Sequence, residues 1–103
     1  MFRIIKRGDK YILITNRRTE ESGKFENISY RSVLSVYESS DLESFTLVKD
    51  IVNRELEHPK RIGFQYPTFI NEKDSVSLVI RSAFNNSNDF HNSNYMLFYR
   101  LEV

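Results

Sequence analysis

Short apolar segments alternate with polar residues in the first half of the chain, and the alternation predicts β-strands. The segments Phe2–Arg7 and Tyr11–Thr15 flank Gly8 and Asp9, which predicts a hairpin because glycine tolerates a positive φ angle in a tight turn. Two further segments, at residues 32–37 and 45–51, are separated by a polar break at residues 38–41. The first half therefore predicts four consecutive strands. In the fourth of them the period of two predicts that Phe45, Leu47 and Ile51 share one face.

The second half repeats this scheme with three predicted strands, at residues 64–70, 75–84 and 95–103. The turns at residues 8–10 and 71–74 occupy matching places in the two halves, with an offset of about 63 residues that is near the size of one propeller blade. We therefore predict a first unit at residues 1–52, a connector at 53–63 in which Pro59 disfavours helix, and a second, incomplete unit at 64–103. The polar segments 16–29 and 85–94 are predicted loops.

Several predicted strands carry apolar side chains on both faces. The clearest are Tyr11–Ile14, Val76–Ile80 and Met96–Tyr99. Such strands are expected to be covered from above and below. Stacked sheets satisfy this requirement, and so would a small sandwich or a barrel.

Composition and charge exclude several classes of function. The 15 Lys and Arg residues against 14 Asp and Glu give a net charge of +1, so nothing in the balance indicates nucleic acid as a partner. The apolar runs fall far short of the roughly 18 residues that a membrane span needs, so no membrane partner is predicted. The chain has no cysteine, and His58 and His91 lie in separate segments without metal-ligand spacing. We therefore predict no metal and no cofactor.

One turn carries a recognisable motif. The segment Ser39–Phe45 resembles the S-x-D-L-x-x-W/F turn of five- and six-bladed propeller glycosidases, which is a relative of the sialidase Asp-box. The resemblance implies a structural role, in which Asp41 accepts backbone N–H bonds within the turn and Phe45 packs between blades.

Four segments of the second half, taken in order, resemble the C-terminal blades of bacterial sialidase-like proteins with BNR-type repeats. They are residues 63–67 (GFQYP), 81–84 (RSAF), 91–95 (HNSNY) and 98–100 (FYR). The resemblance implies an all-β chain of two antiparallel propeller blades, with four strands in the first and three in the second, as a fragment of a six-bladed propeller. The parent family is often secreted or periplasmic, although residues 1–7 do not have the pattern of a signal peptide.

The same resemblance implies a set of candidate substrate-binding residues at strand ends and in loops. These are Arg31, Gln65, Tyr66, Arg81, His91 and Asn94. A guanidinium such as that of Arg81 can bind a sugar carboxylate or hydroxyl. Simpler roles are a strand-end ion pair for Arg81, packing for Tyr66 and a solvated loop for His91.

The function that these residues imply is glycan binding by part of a sialidase-like propeller. No catalytic pair can be chosen, because Asp9, Asp41 and Asp74 lie in predicted turns, and Asn92 stands where the family pattern has an ionisable Asp. We therefore expect a chain that is not active alone, and leave open whether the parent domain hydrolyses glycans. The alternative is a non-enzymatic, self-associating interaction module, because two blades alone expose strand edges and apolar faces. Its partner would be a second copy or the missing blades.

Overall fold

Seven β-strands form two antiparallel sheets in the computed structural model of the chain. The structure describes residues 2–20, 31–54, 63–73, 75–83 and 95–101, and every regular element in them is a strand. Sheet A has the order β1 (Phe2–Arg7), β2 (Lys10–Asn16), β3 (Val33–Ser39) and β4 (Thr46–Asn53), and sheet B has the order β5 (Gly63–Asn71), β6 (Val76–Ala83) and β7 (Tyr95–Leu101). The all-β prediction is confirmed.

Each strand pairs with the next one along the chain. The first hairpin turns at Gly8, whose φ of 62° lies in the left-handed region that a side chain would disfavour. The β2 strand then pairs with β3, and Leu13 lies opposite Tyr37. Because neighbouring residues of a strand point to opposite faces, this register separates an inner face of each sheet, directed at the other sheet, from an outer face.

The inner faces of the two sheets form one hydrophobic core. Its buried members are Ile12, Ile14, Leu34 and Val36 from sheet A with Phe64, Val76, Leu78, Ile80 and Leu101 from sheet B. Ile51 of β4 and Leu97 of β7 pack against this cluster. Each large apolar side chain that is fully buried contributes roughly 1.5–3 kcal/mol, so this contact between the sheets is the main source of stability.

The β5 strand crosses sheet A diagonally. At its beginning, the amide of Phe64 donates to the carbonyl of Arg31 (2.8 Å), and Nδ2 of Asn16 donates to the carbonyl of Phe64 (2.9 Å). At its end, Arg7 of β1 donates to Asn71. The strand therefore runs from the beginning of β3 to the end of β1, in the same direction as β1, which is typical of aligned sheet packing.

One prediction about β4 is wrong. Leu47 lies opposite Tyr37 on the outer face and is 43% exposed, whereas Ile51 packs against the core. The register between β3 and β4 shifts twice, between Leu34 and Ser35 and again between Val36 and Tyr37. These irregularities change which residues share a face, so a strict period of two does not hold along this strand.

Candidate functional site

The outer face of sheet A carries a row of apolar side chains across all four strands. Ile4, Leu13, Tyr37 and Leu47 lie opposite one another in successive strand pairs. Phe2 extends the row, at 62% exposure. We call these five residues face A.

The outer face of sheet B is also apolar. Val79 lies opposite Phe98, and Arg81 lies opposite Met96, in the pairing of β6 with β7. Ile70 of β5 lies on the same face, opposite Ser77. Met96 and Phe98 are 64% and 61% exposed, although the neighbouring Leu97 and Tyr99 pack against the core. We call Ile70, Val79, Met96 and Phe98 face B.

Faces A and B bear on the prediction that strands with two apolar faces are covered on both sides. The inner faces cover each other, but the large side chains of Phe2 and Leu47 on face A, and of Met96 and Phe98 on face B, remain exposed to solvent. Contiguous exposed apolar side chains on a folded domain mark a contact surface for another molecule. The described part of the chain carries two such surfaces, on opposite sides.

A polar network borders face A. The guanidinium of Arg17 donates two hydrogen bonds to the carboxylate of Asp50, at 3.1 and 2.7 Å, and Ser35 (2.6 Å) and Asn53 (3.0 Å) donate two more. The bonds from Arg17 are the main reason that the pKa of Asp50 is lowered to about 2. The ionised carboxylate of Asp50 in β4 therefore binds Ser35 of β3 and Arg17, the residue that follows β2, beside the apolar row.

The turn between β3 and β4 is held by two side chains. Asp41 accepts hydrogen bonds of 2.9 Å from the amides of Glu43 and Ser44, and Oγ of Ser39 accepts one of 2.9 Å from the amide of Leu42. The amides of Ser44 and Glu43 are the main reason that the pKa of Asp41 is lowered. These bonds give Ser39 and Asp41 a structural role, and Phe45 at the end of the turn is half-buried.

The candidate substrate-binding residues are only partly described. Arg81 is exposed on the outer side of β6, opposite Gln65 of β5. The carbonyl of Arg31 accepts a hydrogen bond from the amide of Phe64, the residue before Gln65. The backbone thus brings Arg31, Gln65 and Arg81 to one end of the sheets. The side chains of Gln65 and Tyr66, and the whole of His91 and Asn94, lie outside the described part of the chain.

A cleft lies at the opposite end of the molecule, beside the first hairpin. Its volume is about 610 Å³, and Ile12 and Val48 contribute apolar walls. Lys10 and Glu38 also line it, and their side chains form an exposed ion pair at 3.8 Å. Arg31 and Arg81, the two candidates whose side chains the structure describes, do not line the cleft.

Three polar residues hold the sheets together through long-range hydrogen bonds. Nε of Arg3 donates to the carbonyl of Pro67 (3.2 Å), and Asn16 donates to the carbonyls of Val33 (3.1 Å) and Phe64 (2.9 Å). Arg7 donates to Asn71 and to the carbonyls of Glu72, Lys73 and Ser75. Polar residues near strand ends give no sign in the sequence of a partner located 48 or more positions away.

Three comparisons with known proteins, against family models, curated proteins and solved structures, gave no match. Among the described residues no group of three or more His, Asp or Glu side chains could hold a metal ion. No helix in the same part of the chain is long and apolar enough to cross a membrane. The proposals below therefore rest on the residues and their geometry.

Proposed function

We propose that this chain is a self-associating β-sheet module that binds further copies of itself through faces A and B. The observation that carries the proposal is that each outer face presents exposed large apolar side chains, on opposite sides of a molecule whose own core is made by stacking the two inner faces. A second copy offers a surface of the required chemistry, because the inner interface already shows that these sheets pack on one another.

Association would bury apolar side chains that are exposed in a single copy. A large apolar side chain that becomes buried contributes roughly 1.5–3 kcal/mol relative to remaining in water. Phe2 and Leu47 on face A, with Met96 and Phe98 on face B, are each exposed by 43% or more. Burying both sets in one contact offsets part of the loss of translational and rotational freedom on binding, which costs an estimated 4–15 kcal/mol.

The propeller arrangement is the finer form of this proposal. If each sheet is one blade, three copies of a two-sheet chain supply six blades, and closure of the ring removes the two open faces of every copy. The resemblance of Ser39–Phe45 and of the second half to sialidase-like proteins supports this arrangement.

Substitution on one face tests the proposal. Phe98→Thr keeps a β-forming residue in β7 but removes an apolar side chain from face B, and we expect the dissociation constant to rise about 10- to 100-fold. Val48→Thr is the matched control, because Val48 is 45% exposed but lines the cleft. Sedimentation velocity over a dilution series measures both, and circular dichroism checks folding. Equal dissociation constants for Phe98→Thr and Val48→Thr would contradict the proposal.

Glycan binding is a second candidate, supported by a different observation. Arg31, Gln65 and Arg81, three of the six residues that the sialidase-like resemblance selects, meet at one end of the sheets. An exposed guanidinium at that end could bind an acidic or neutral sugar through charge-assisted hydrogen bonds.

A glycan array tests the second candidate. The Arg31→Ala, Arg81→Ala double variant should lose at least tenfold in signal for any glycan that the unmodified chain binds. Arg100→Ala is the control, because the Arg100 side chain is 60% exposed at the other end of sheet B. Binding that is unchanged in the double variant would argue against these residues as the site, and an array without signal for the unmodified chain would argue against glycan binding itself.

A further inference from the structure

The two sheets of one chain stack in a defined relation, which shows how a third sheet would follow. Arg3 of β1 donates to Pro67 of β5, and Arg7 of β1 donates to Asn71 of β5, so the residues that face one another are 64 positions apart at both ends of the contact. A constant offset means that β1 and β5 run in the same direction.

Successive strands also follow one another in the same direction across both sheets, from β1 to β4 in sheet A and from β5 to β7 in sheet B. Leu34 of β3 belongs to the same core as Leu78 of β6 and Leu101 of β7, and Ile51 of β4 packs against that core. If β6 were paired on the opposite side of β5, then β6 and β7 would extend beyond the β1 edge of sheet A. No strand of sheet B would then cover β4. Sheet B is therefore related to sheet A by a translation with a small rotation, as one layer of a stack is related to the next.

This relation exchanges the faces. Successive side chains of a strand point to opposite faces. A residue of β1 faces the residue of β5 that is 64 positions later. The two neighbours of that β5 residue, 63 and 65 positions later, therefore point in the same direction as the residue of β1. Ile4 on the outer face of β1 thus corresponds to the inner positions Pro67 and Phe69. The outer face of sheet A corresponds to the inner face of sheet B, and the inner face of sheet A corresponds to the outer face of sheet B.

We infer that copies of this chain associate head to tail, with face B of one copy packed on face A of the next. This inference rests on the proposed self-association and adds which surfaces meet. Repeating the same translation and rotation brings the outer face of sheet B against an outer face of the sheet A type, whereas contacts of A with A or of B with B need a two-fold axis that the stacking does not contain. Each copy then uses both faces, and assembly continues until a ring closes.

The same operation places β5 of one copy over β1 of the next. Applying the offset of 64 once more puts Thr68 of β5 over Ile4 of face A, with Ile70 of face B about 7 Å farther along β5. Ile4 and Ile70 are 40% and 52% exposed. Phe2 and Thr68 are exposed as well, so both pairs are accessible to reagents, and stacked sheets lie about 10 Å apart, within the reach of a short bismaleimide.

Thiol cross-linking tests this pairing, because the chain has no cysteine of its own. Ile4→Cys and Ile70→Cys are made as separate single variants. Phe2→Cys and Thr68→Cys form a second pair, each two residues before its counterpart in the first pair. Leu42→Cys is the control, since Leu42 is 46% exposed in the β3–β4 turn and belongs to neither face. Light scattering first establishes which variants keep the mass of the unmodified chain.

Head-to-tail packing predicts that a 1:1 mixture of the Ile4→Cys and Ile70→Cys chains forms cross-linked dimers, at least tenfold more than either variant alone or than Leu42→Cys. The double variant should give a ladder of dimers, trimers and larger species. Dimers from either single variant alone, in equal yield, would overturn head-to-tail packing while leaving self-association intact. An unmodified chain that stays monomeric would contradict both.

Discussion

Arg7, at the end of β1, donates a hydrogen bond of 2.7 Å from Nη1 to Oδ1 of Asn71, which lies 64 residues later at the end of β5. The same guanidinium donates to the carbonyls of Glu72, Lys73 and Ser75, so one side chain binds these three residues of the β5–β6 turn to the first hairpin. Arginine suits this position because its planar group offers five donors in a fixed geometry.

Replacing Arg7 tests whether this contact holds the sheets together. We expect Arg7→Ala to lower the free energy of unfolding by about 1–3 kcal/mol, because the carbonyls of the turn lose a charged donor. Lys6→Ala removes the neighbouring cation and serves as the control. Urea denaturation followed by circular dichroism gives both values, and equal losses in the two variants would show that Arg7 has no special role.

Asn16 makes the corresponding contact at the other end of the sheets. Its amide donates to the carbonyls of Val33 and Phe64, so Asn16→Ala should cost about 1–3 kcal/mol. Asn16→Asp should cost more at pH 7 than at pH 4, because an ionised carboxylate in place of the amide faces two carbonyl oxygens without a donor. Thermal unfolding of both variants measures the difference. An Asp variant with the same stability at the two pH values would contradict this account.

Asp50 makes the stability of sheet A depend on pH. Its pKa in the folded chain is about 2, against an ordinary value of 3.8, so the folded state favours the ionised form. Its contribution is complete above about pH 4 and is lost as the pH falls towards 2. Asp50→Asn should therefore show a smaller loss of stability between pH 5 and pH 2 than the unmodified chain, by about 1 kcal/mol.

Urea midpoints at several pH values measure this difference. The control is Glu43→Gln, which removes an exposed carboxylate from the β3–β4 turn. Parallel pH profiles for the unmodified chain and Asp50→Asn would mean that Arg17 does not stabilise the ionised carboxylate of Asp50.

Leu42 has a backbone angle that leucine disfavours. Its φ is 63°, in the left-handed region, and its side chain is 46% exposed. Leu42→Asn should therefore raise the free energy of unfolding by about 0.5–1 kcal/mol, since asparagine tolerates this region and Leu42 lies outside the buried core. Differential scanning calorimetry measures the shift. A lower melting temperature for Leu42→Asn would show that the Leu42 side chain makes a contact worth more than the strain.

The sequence predicted the positions of the strands better than it predicted which residues share one face of a strand. The period of two and the turn at Gly8 located β1 and β2 to within a residue, because local propensity and turn chemistry act over a few positions. The shared face of Leu47 and Ile51 was wrong because a change of register depends on the partner strand, which the local pattern does not reveal.

In the candidate sites, too, contacts between residues close in the sequence could be predicted and contacts between distant residues could not. The bonds of Asp41 are local, so the motif at Ser39–Phe45 was enough to predict them. The contacts of Arg7 and Asn16 join residues 48 or more positions apart, and only the folded chain brings them together. The apolar strand Met96–Tyr99 predicted cover on both faces, and the structure provides it on one, which is why a partner is proposed for the other.

The mass of the unmodified chain in solution tests the central claim most directly. One chain has a mass of 12.3 kDa, so a closed ring of three copies has three times that mass, about 37 kDa. Light scattering coupled to size exclusion, at several micromolar concentrations, should give a species larger than one chain whose mass falls on dilution or on substitution of Phe98. A single species at the mass of one chain across all concentrations would contradict the account.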